Sequence, residues 1–394
     1  MLLLKNCHFV SSLVEEYDLP EGDVIVDGKK IVRIAPCGTL SAENAQILDL
    51  NGKTLLPGLI DMHVHLFMQA YEDVMNGREL GVQPTEYTVN VIQYAQAMLD
   101  AGYTTVRDVG DNPSRPTFAV AKAVDAGRLQ GPSIIPSGPI LLPTYTPTTA
   151  LNEDMDGPME FRKGARRNLR SGARFIKLYG SGSLLVPSAE PGFPIIEADE
   201  IREAVKVAKM YGTYVAIHAH GATAIDMAAR EGVHTIEHAS MISEETLSYI
   251  EEHYEEIGLV PTLFAFNHIL NEADTPNGIR ARAIRDQVIS SLKSAYHNHH
   301  VQIGWGTDVP YKDFVADPMT EFRLRGEFLD YGSEDMLKQA TINSAKLMYM
   351  DDQIGTIKAG KMADLVVVDG DPVSNNQVMY QKPDHVIKAG QIIR

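Results

Sequence analysis

His63 and His65 stand two residues apart in the run GLIDMHVH. Side chains alternate along a strand, so both imidazoles project from one face. Two neutral imidazoles on one face are good ligands for a divalent metal. The spacing recurs at His218 and His220 in YVAIHAHG, and His238 follows the apolar run in HTIEHAS. Lys177 lies inside the apolar run ARFIKLYG. A lysine there is either ion-paired or desolvated to a neutral amine. A neutral amine can add CO₂, and the resulting carbamate is an anion able to bridge two metals. Asp308 follows a Gly-Trp-Gly turn in VQIGWGTD, where a carboxylate can ligate a metal and take a proton from water.

Each group has a plainer reading. Two histidines can simply end a polar strand, a barrel lysine can be ion-paired, and core histidines can be satisfied by backbone groups. That last reading suits His234, which begins its strand. An aspartate after a strand is often a helix N-cap, although the Val-Pro that follows Asp308 disfavours an immediate helix. The metal reading gains weight from placement, because the candidates fall at the C-terminal ends of predicted strands.

Eight β-rich runs recur between residues 53 and 352: TLLPGLIDMHVH, YTTVRDVG, SIIPSG, ARFIKLYG, YVAIHAHG, HTIEHAS, GLVPTL and VQIGWGTD. Segments of helical periodicity separate most of them, for example EADEIREAVKVAKMYG and SEDMLKQATINSAKLMY. The alternation predicts an α/β fold, a (β/α)₈ TIM-like barrel, whose strand ends all open onto one face. A doubly wound sheet has less support, since no GxGxxG follows the first strand. Residues 1–52 and 353–394 each carry a short hairpin pattern, VIVDGKKIVRIAP and DHVIKAGQIIR. Neither is large enough to stand alone, so a composite β-sandwich domain built from both termini is expected.

Other polar clusters carry less. His297, His299 and His300 precede the last strand and read as a solvated group at the barrel bottom. The basic run from Arg162 to Arg174 reads as the solvent face of an amphipathic helix. His8, His253, His268 and His385 have no partners in register. Loops 132–158 and 183–195 are expected to set specificity, and Arg115, Tyr145 and Tyr179 are candidates to receive a substrate carboxylate.

The 394 residues carry a formal net charge of −17, which disfavours nucleic acid and anionic membranes as partners. A small-molecule substrate is the expected partner. Acidic barrels of this size commonly self-associate, which leaves a homo-oligomer open. Two cysteines cannot build a disulfide framework. With no targeting signal and no membrane-length apolar run, a soluble cytoplasmic protein is expected.

The combination of HVH after Leu-Pro-Gly, the strand-borne lysine, the later histidines and a late GTD resembles the amidohydrolase superfamily. The tail IGTIKAGKMADLVVVDGDP is similar to that superfamily's C-terminal signature, and the likeness covers nearly the whole chain. FIKLYGSG followed by HAHG and IEHAS most resembles its metal-dependent dipeptidase branch. That branch cleaves Xaa-Pro or Xaa-Arg/Lys dipeptides, with related amidases acting on N-acyl amino acids such as ochratoxin. The resemblance implies two divalent ions, zinc foremost, bridged by carboxylated Lys177 and a hydroxide. His63 and His65 would bind the first ion and His218 and His238 the second. Asp308 would bind the first and shuttle protons, and His220 and Tyr179 would act on the substrate. Two stretches near the substrate depart from the branch: RDVGD at 107–111, where relatives have RDVGG, and Tyr-Gly-Ser-Gly-Ser from Tyr179. The implied activity is hydrolysis of a C–N bond in a dipeptide or N-acyl amino acid. A cyclic-amide hydrolase or deaminase of the imidazolonepropionase type is the alternative on the same barrel, although such enzymes usually lack the bridging lysine. A non-catalytic binding barrel is the alternative from another class.

Overall fold

The computed structural model describes residues 1–70, 83–144, 152–183, 192–271 and 275–394. Eight parallel strands form the barrel: β1 (Leu59–Val64), β2 (Tyr103–Asp108), β3 (Ser133–Pro136), β4 (Ile176–Tyr179), β5 (Val215–Ala219), β6 (Thr235–His238), β7 (Gly258–Val260) and β8 (Gln302–Ile303). β1 to β3 pair in sequence, as do β4 to β8. Two backbone bonds join these arcs. The Arg174 amide donates to the Pro136 carbonyl at 2.9 Å, and the Met62 amide donates to the Trp305 carbonyl at 2.7 Å. All eight runs read as strands contribute one, and the register sets Tyr179 beside His218 and Ala219 beside His238.

The helices named below are α1 (Pro158–Ser171), α2 (Ala198–Met210), α3 (Leu263–Leu270), α4 (Pro276–His297) and α5 (Thr320–Leu329). α1 carries the basic run on its outer face and buries Phe161, Gly164, Ala165 and Asn168. α2 begins with a capping box in which Glu197 and Glu200 exchange side-chain-to-backbone bonds. The predicted helix in SEDMLKQATINSAKLMY forms with a π-helical segment at Gln339–Asn343. Ser344, just beyond it, accepts a bond from the Trp305 amide at 3.0 Å.

Both termini build one mixed sheet. Leu365–Val368 pairs antiparallel with Thr54–Pro57, and Lys30–Ala35 curls back so that the Ile31 amide meets the Lys361 carbonyl at 3.0 Å. The sheet therefore encloses its own core of residues such as Leu4, Phe9, Val24, Leu55 and Leu365. It reaches Pro57, so the run TLLPGLIDMHVH begins in the sheet and enters the barrel after Gly58. A side chain at Gly58 would place Cβ 2.1 Å from Thr104 Oγ1, so only glycine permits this crossing. Among the described residues, no helix is long and apolar enough to cross a membrane.

A buried ion pair holds the ends of β7 and β8. Arg325 on α5 donates to Glu321 at 2.7 Å, to the Pro261 carbonyl at 2.7 Å and to the Gly304 carbonyl at 3.0 Å. Glu321 in turn accepts the amide of Phe264 at 2.7 Å, at the start of α3. Removing one partner leaves the other charge buried and unpaired. Arg325→Met is therefore expected to lower unfolding free energy by about 3–5 kcal/mol, read by equilibrium denaturation.

Candidate metal centre

Two groups of ligands meet at the C-terminal face of the barrel. His63, His65 and Asp308 form one and His218, His220 and His238 the other, with the donor atoms of each group within 4.8 Å of one another. Asp308 Oδ1 lies 3.6 Å from His63 Nε2 and 3.5 Å from His65 Nε2. The His63 and His238 rings, 4.7 Å apart, join the groups. Lys177 is buried among them. Its charge disfavours protonation of His63, His65, His218, His220 and His238 and favours the ionised form of Asp308. The Tyr179 ring stacks on His218 at 3.9 Å. The structure thus brings His63, His65, Lys177, Tyr179, His218, His220, His238 and Asp308 to one site.

The second ring nitrogens explain the orientation of these ligands. His63 Nδ1 donates to Glu237 at 2.8 Å and His65 Nδ1 to the Gly110 carbonyl at 3.1 Å. His238 Nδ1 meets Thr262 Oγ1, and His220 Nδ1 meets Ser240 Oγ, each at 2.8 Å. A Nδ1–H given to a carboxylate or carbonyl leaves the Nε2 lone pair bare, the form that binds a metal. Burial, with the Lys177 charge, keeps the rings neutral; His65 is drawn down to about 4 and His220 to about 3. His218 Nε2 and Lys177 Nζ are buried with no hydrogen-bond partner among the described residues. Burial also lowers the Lys177 ammonium and raises the Asp308 carboxyl.

Backbone conformation completes the arrangement. In β6, Glu237 faces Arg107 across the barrel while Ile236 packs in the core against the helices. Simple alternation would send His238 outward with Ile236. Instead His238 (φ 68°) and Ala239 (φ 49°) are left-handed, which turns the imidazole into the cluster. Asp308 (φ 53°) is left-handed as well, and its amide donates to the His63 carbonyl at 2.8 Å. Such conformations are costly away from glycine and concentrate at functional sites. Asp308 caps no helix, since the next helix starts at Tyr311 after Pro310.

The remaining candidates separate cleanly. Both ring nitrogens of His234 meet backbone carbonyls, Glu256 at 2.7 Å and Leu347 at 3.0 Å. His297 meets the Leu329 carbonyl, His299 lies between Glu244 and Glu251, and His300 stacks on Tyr254. Tyr145 lies outside the described residues, and Arg115 is half-buried in a left-handed turn. The two departures have structural uses. Asp111 accepts the Thr117 amide at 3.0 Å, at the start of the helix Pro116–Asp125. Ser181 Oγ accepts the His220 amide at 2.9 Å.

Sequence reasoning does not single out Arg107 or Glu237, yet both support the site. Arg107 donates to Glu237 at 2.7 Å, to the Met62 carbonyl at 2.6 Å and to Thr235 at 3.0 Å. Burial would raise the Glu237 carboxyl, but Arg107 and His63 hold it well below the usual range. The available signal was a charged residue inside each of two apolar strands. Glu237→Gln is expected to weaken metal binding about 10- to 100-fold, read by chelator competition.

A small cavity of about 30 Å³ adjoins His218, His220 and His238.

Residues 54–393 match the amidohydrolase family. The chain belongs to the amidohydrolase family. This amidohydrolase is similar to ochratoxinase of Aspergillus niger, 25% identical over 377 residues that cover 86% of this chain and 75% of the relative. Among solved structures it resembles a prolidase complexed with N-methylphosphonate-L-proline (29% identity, TM-score 0.88, covering 100% of this chain and 99% of that one). It also resembles a Xaa-Pro dipeptidase with methionine bound in its active site (27% identity, TM-score 0.86, the same coverage). As a member of the family it is a hydrolase acting on carbon–nitrogen bonds. The family is generally metal-dependent, and the two histidine groups are suited to hold metal.

Proposed function

We propose that this amidohydrolase cleaves the amide bond of a dipeptide or N-acyl amino acid, using two divalent ions, zinc foremost. The observation that carries the reading is the buried, unpartnered Lys177 Nζ lying amid two ligand groups. The donor set fits: His63, His65 and Asp308 would hold one ion, His218 and His238 the other, and carboxylated Lys177 would bridge them. Carboxylation joins the neutral Nζ amine to the carbon of CO₂ and releases one proton, or two counted from the ammonium, leaving the anion that two dications need. When bound, the ions supply Lewis acidity to the carbonyl and acidify the attacking water.

The protein's own groups would do the rest. Asp308 takes the water's proton and delivers it to the leaving nitrogen, which is otherwise too basic to depart. His220 and Tyr179 donate to the developing oxyanion, with His220 held by Ser240 and Tyr179 braced against His218. The similarity to a prolidase that holds a phosphonate analogue supports this substrate class. A phosphonate has the tetrahedral, anionic shape of the intermediate in amide hydrolysis.

The reading is tested by assaying Xaa-Pro, Xaa-Arg and Xaa-Lys dipeptides and N-acyl amino acids with metal analysis on the same sample. Cleavage of at least one class at about two ions per chain is expected. A fully loaded protein that cleaves none would overturn it. Activity at one ion per chain on a cyclic amide would favour the cyclic-amide hydrolase instead.

A further inference from the structure

The cavity beside the histidines has two unlike ends. At the metal end it is lined by His218, His220, His238 and Asp308, with the hydroxyl residues Ser183, Ser240 and Thr262 beside them. The far end is formed by Leu263, Ala265, Phe266 and Ile269 of α3 and by Val288 and Leu292 of α4. Positions 266 and 269, like 288 and 292, are spaced to share a helix face, so the two helices present one apolar wall. Asp308 is the one carboxylate among its described lining residues, and it sits at the metal end. A cation pushed to the far end would be desolvated with no counter-charge, which is costly. An aliphatic group would instead exchange water for side-chain carbon.

We infer that this pocket is the specificity site and that the substrate inserts an uncharged aliphatic group into it, next to the scissile amide. The inference rests on the hydrolase reading above and narrows it. Lysine- or arginine-bearing groups are disfavoured at this position, and aliphatic acyl or amino-acid groups are selected. Ala265 and Phe266 at the start of α3 would set the depth of the pocket.

The test uses linear alkylphosphonates, methyl through pentyl, titrated calorimetrically into the metal-loaded protein. The phosphonate provides the metal-directed end and the chain explores the wall. Affinity is expected to rise about fourfold per added methylene, equivalent to ~0.8 kcal/mol, until the pocket is full. An ω-aminoalkylphosphonate of equal length should bind at least tenfold more weakly. Ala265→Val should reduce the pentyl-to-methyl affinity ratio about tenfold. Affinities independent of chain length, or preference for the amino-terminated probe, would overturn the inference while leaving the hydrolase reading intact. Absence of any phosphonate binding at full metal load would overturn both.

Discussion

Asp308→Asn is expected to lower kcat by about 10²- to 10⁴-fold, the span that general acid–base catalysis typically contributes. The replacement is nearly isosteric and removes the group that carries the proton. It should not disturb the fold. Asp308 adopts φ 53°, and asparagine tolerates the left-handed region as well as aspartate does. Circular dichroism and thermal unfolding should therefore match the parent while steady-state turnover collapses. Turnover within tenfold of the parent would remove Asp308 from the proton path.

Lys177→Ala should have the other large effect, this time on metal content. The two ligand groups supply imidazoles and one carboxylate, and the protein's own bridging anion would come from Lys177 alone. Without it, two dications would sit close together with too little negative charge between them. The variant is expected to retain a minority of the metal bound by the parent and to lose nearly all activity. Millimolar acetate or propionate should restore part of that activity, because a small carboxylate can enter the space left by the side chain. An alanine variant with full metal content would show that Lys177 bridges nothing.

Much of the fold was legible because its signals are local. Eight β-rich runs separated by helical periodicity needed no knowledge of contacts, and each provides a strand. The terminal hairpins were also legible. Lys388 pairs with Gln391 around Ala389 and Gly390, both with positive φ, in the manner of a tight two-residue turn. The crossing from sheet to barrel was not. Thr54 to His65 reads as one continuous β-rich run, and only its distant partner strands Leu2–Phe9 and Leu365–Val368 assign its first four residues to the sheet.

The site divides the same way. His63, His65, His218, His238 and Asp308 are legible as polar groups at strand ends and Lys177 as a charge inside an apolar strand, and the barrel brings them together. The groups that aim them were hidden. Arg107 meets Glu237 across 130 positions, and Thr262 reaches His238 from the next strand's end. Neither pairing has a sequence signal until the barrel closes. His238 also defeats period-two reasoning, because its inward aim depends on a left-handed backbone.

Anomalous scattering from crystals of the protein loaded with zinc and bicarbonate tests the metal centre most directly. Two peaks are expected, one against His63, His65 and Asp308 and one against His218 and His238, with continuous density from Lys177 Nζ lying between them. A single peak, or two peaks beside an unmodified lysine, would contradict the bridged pair.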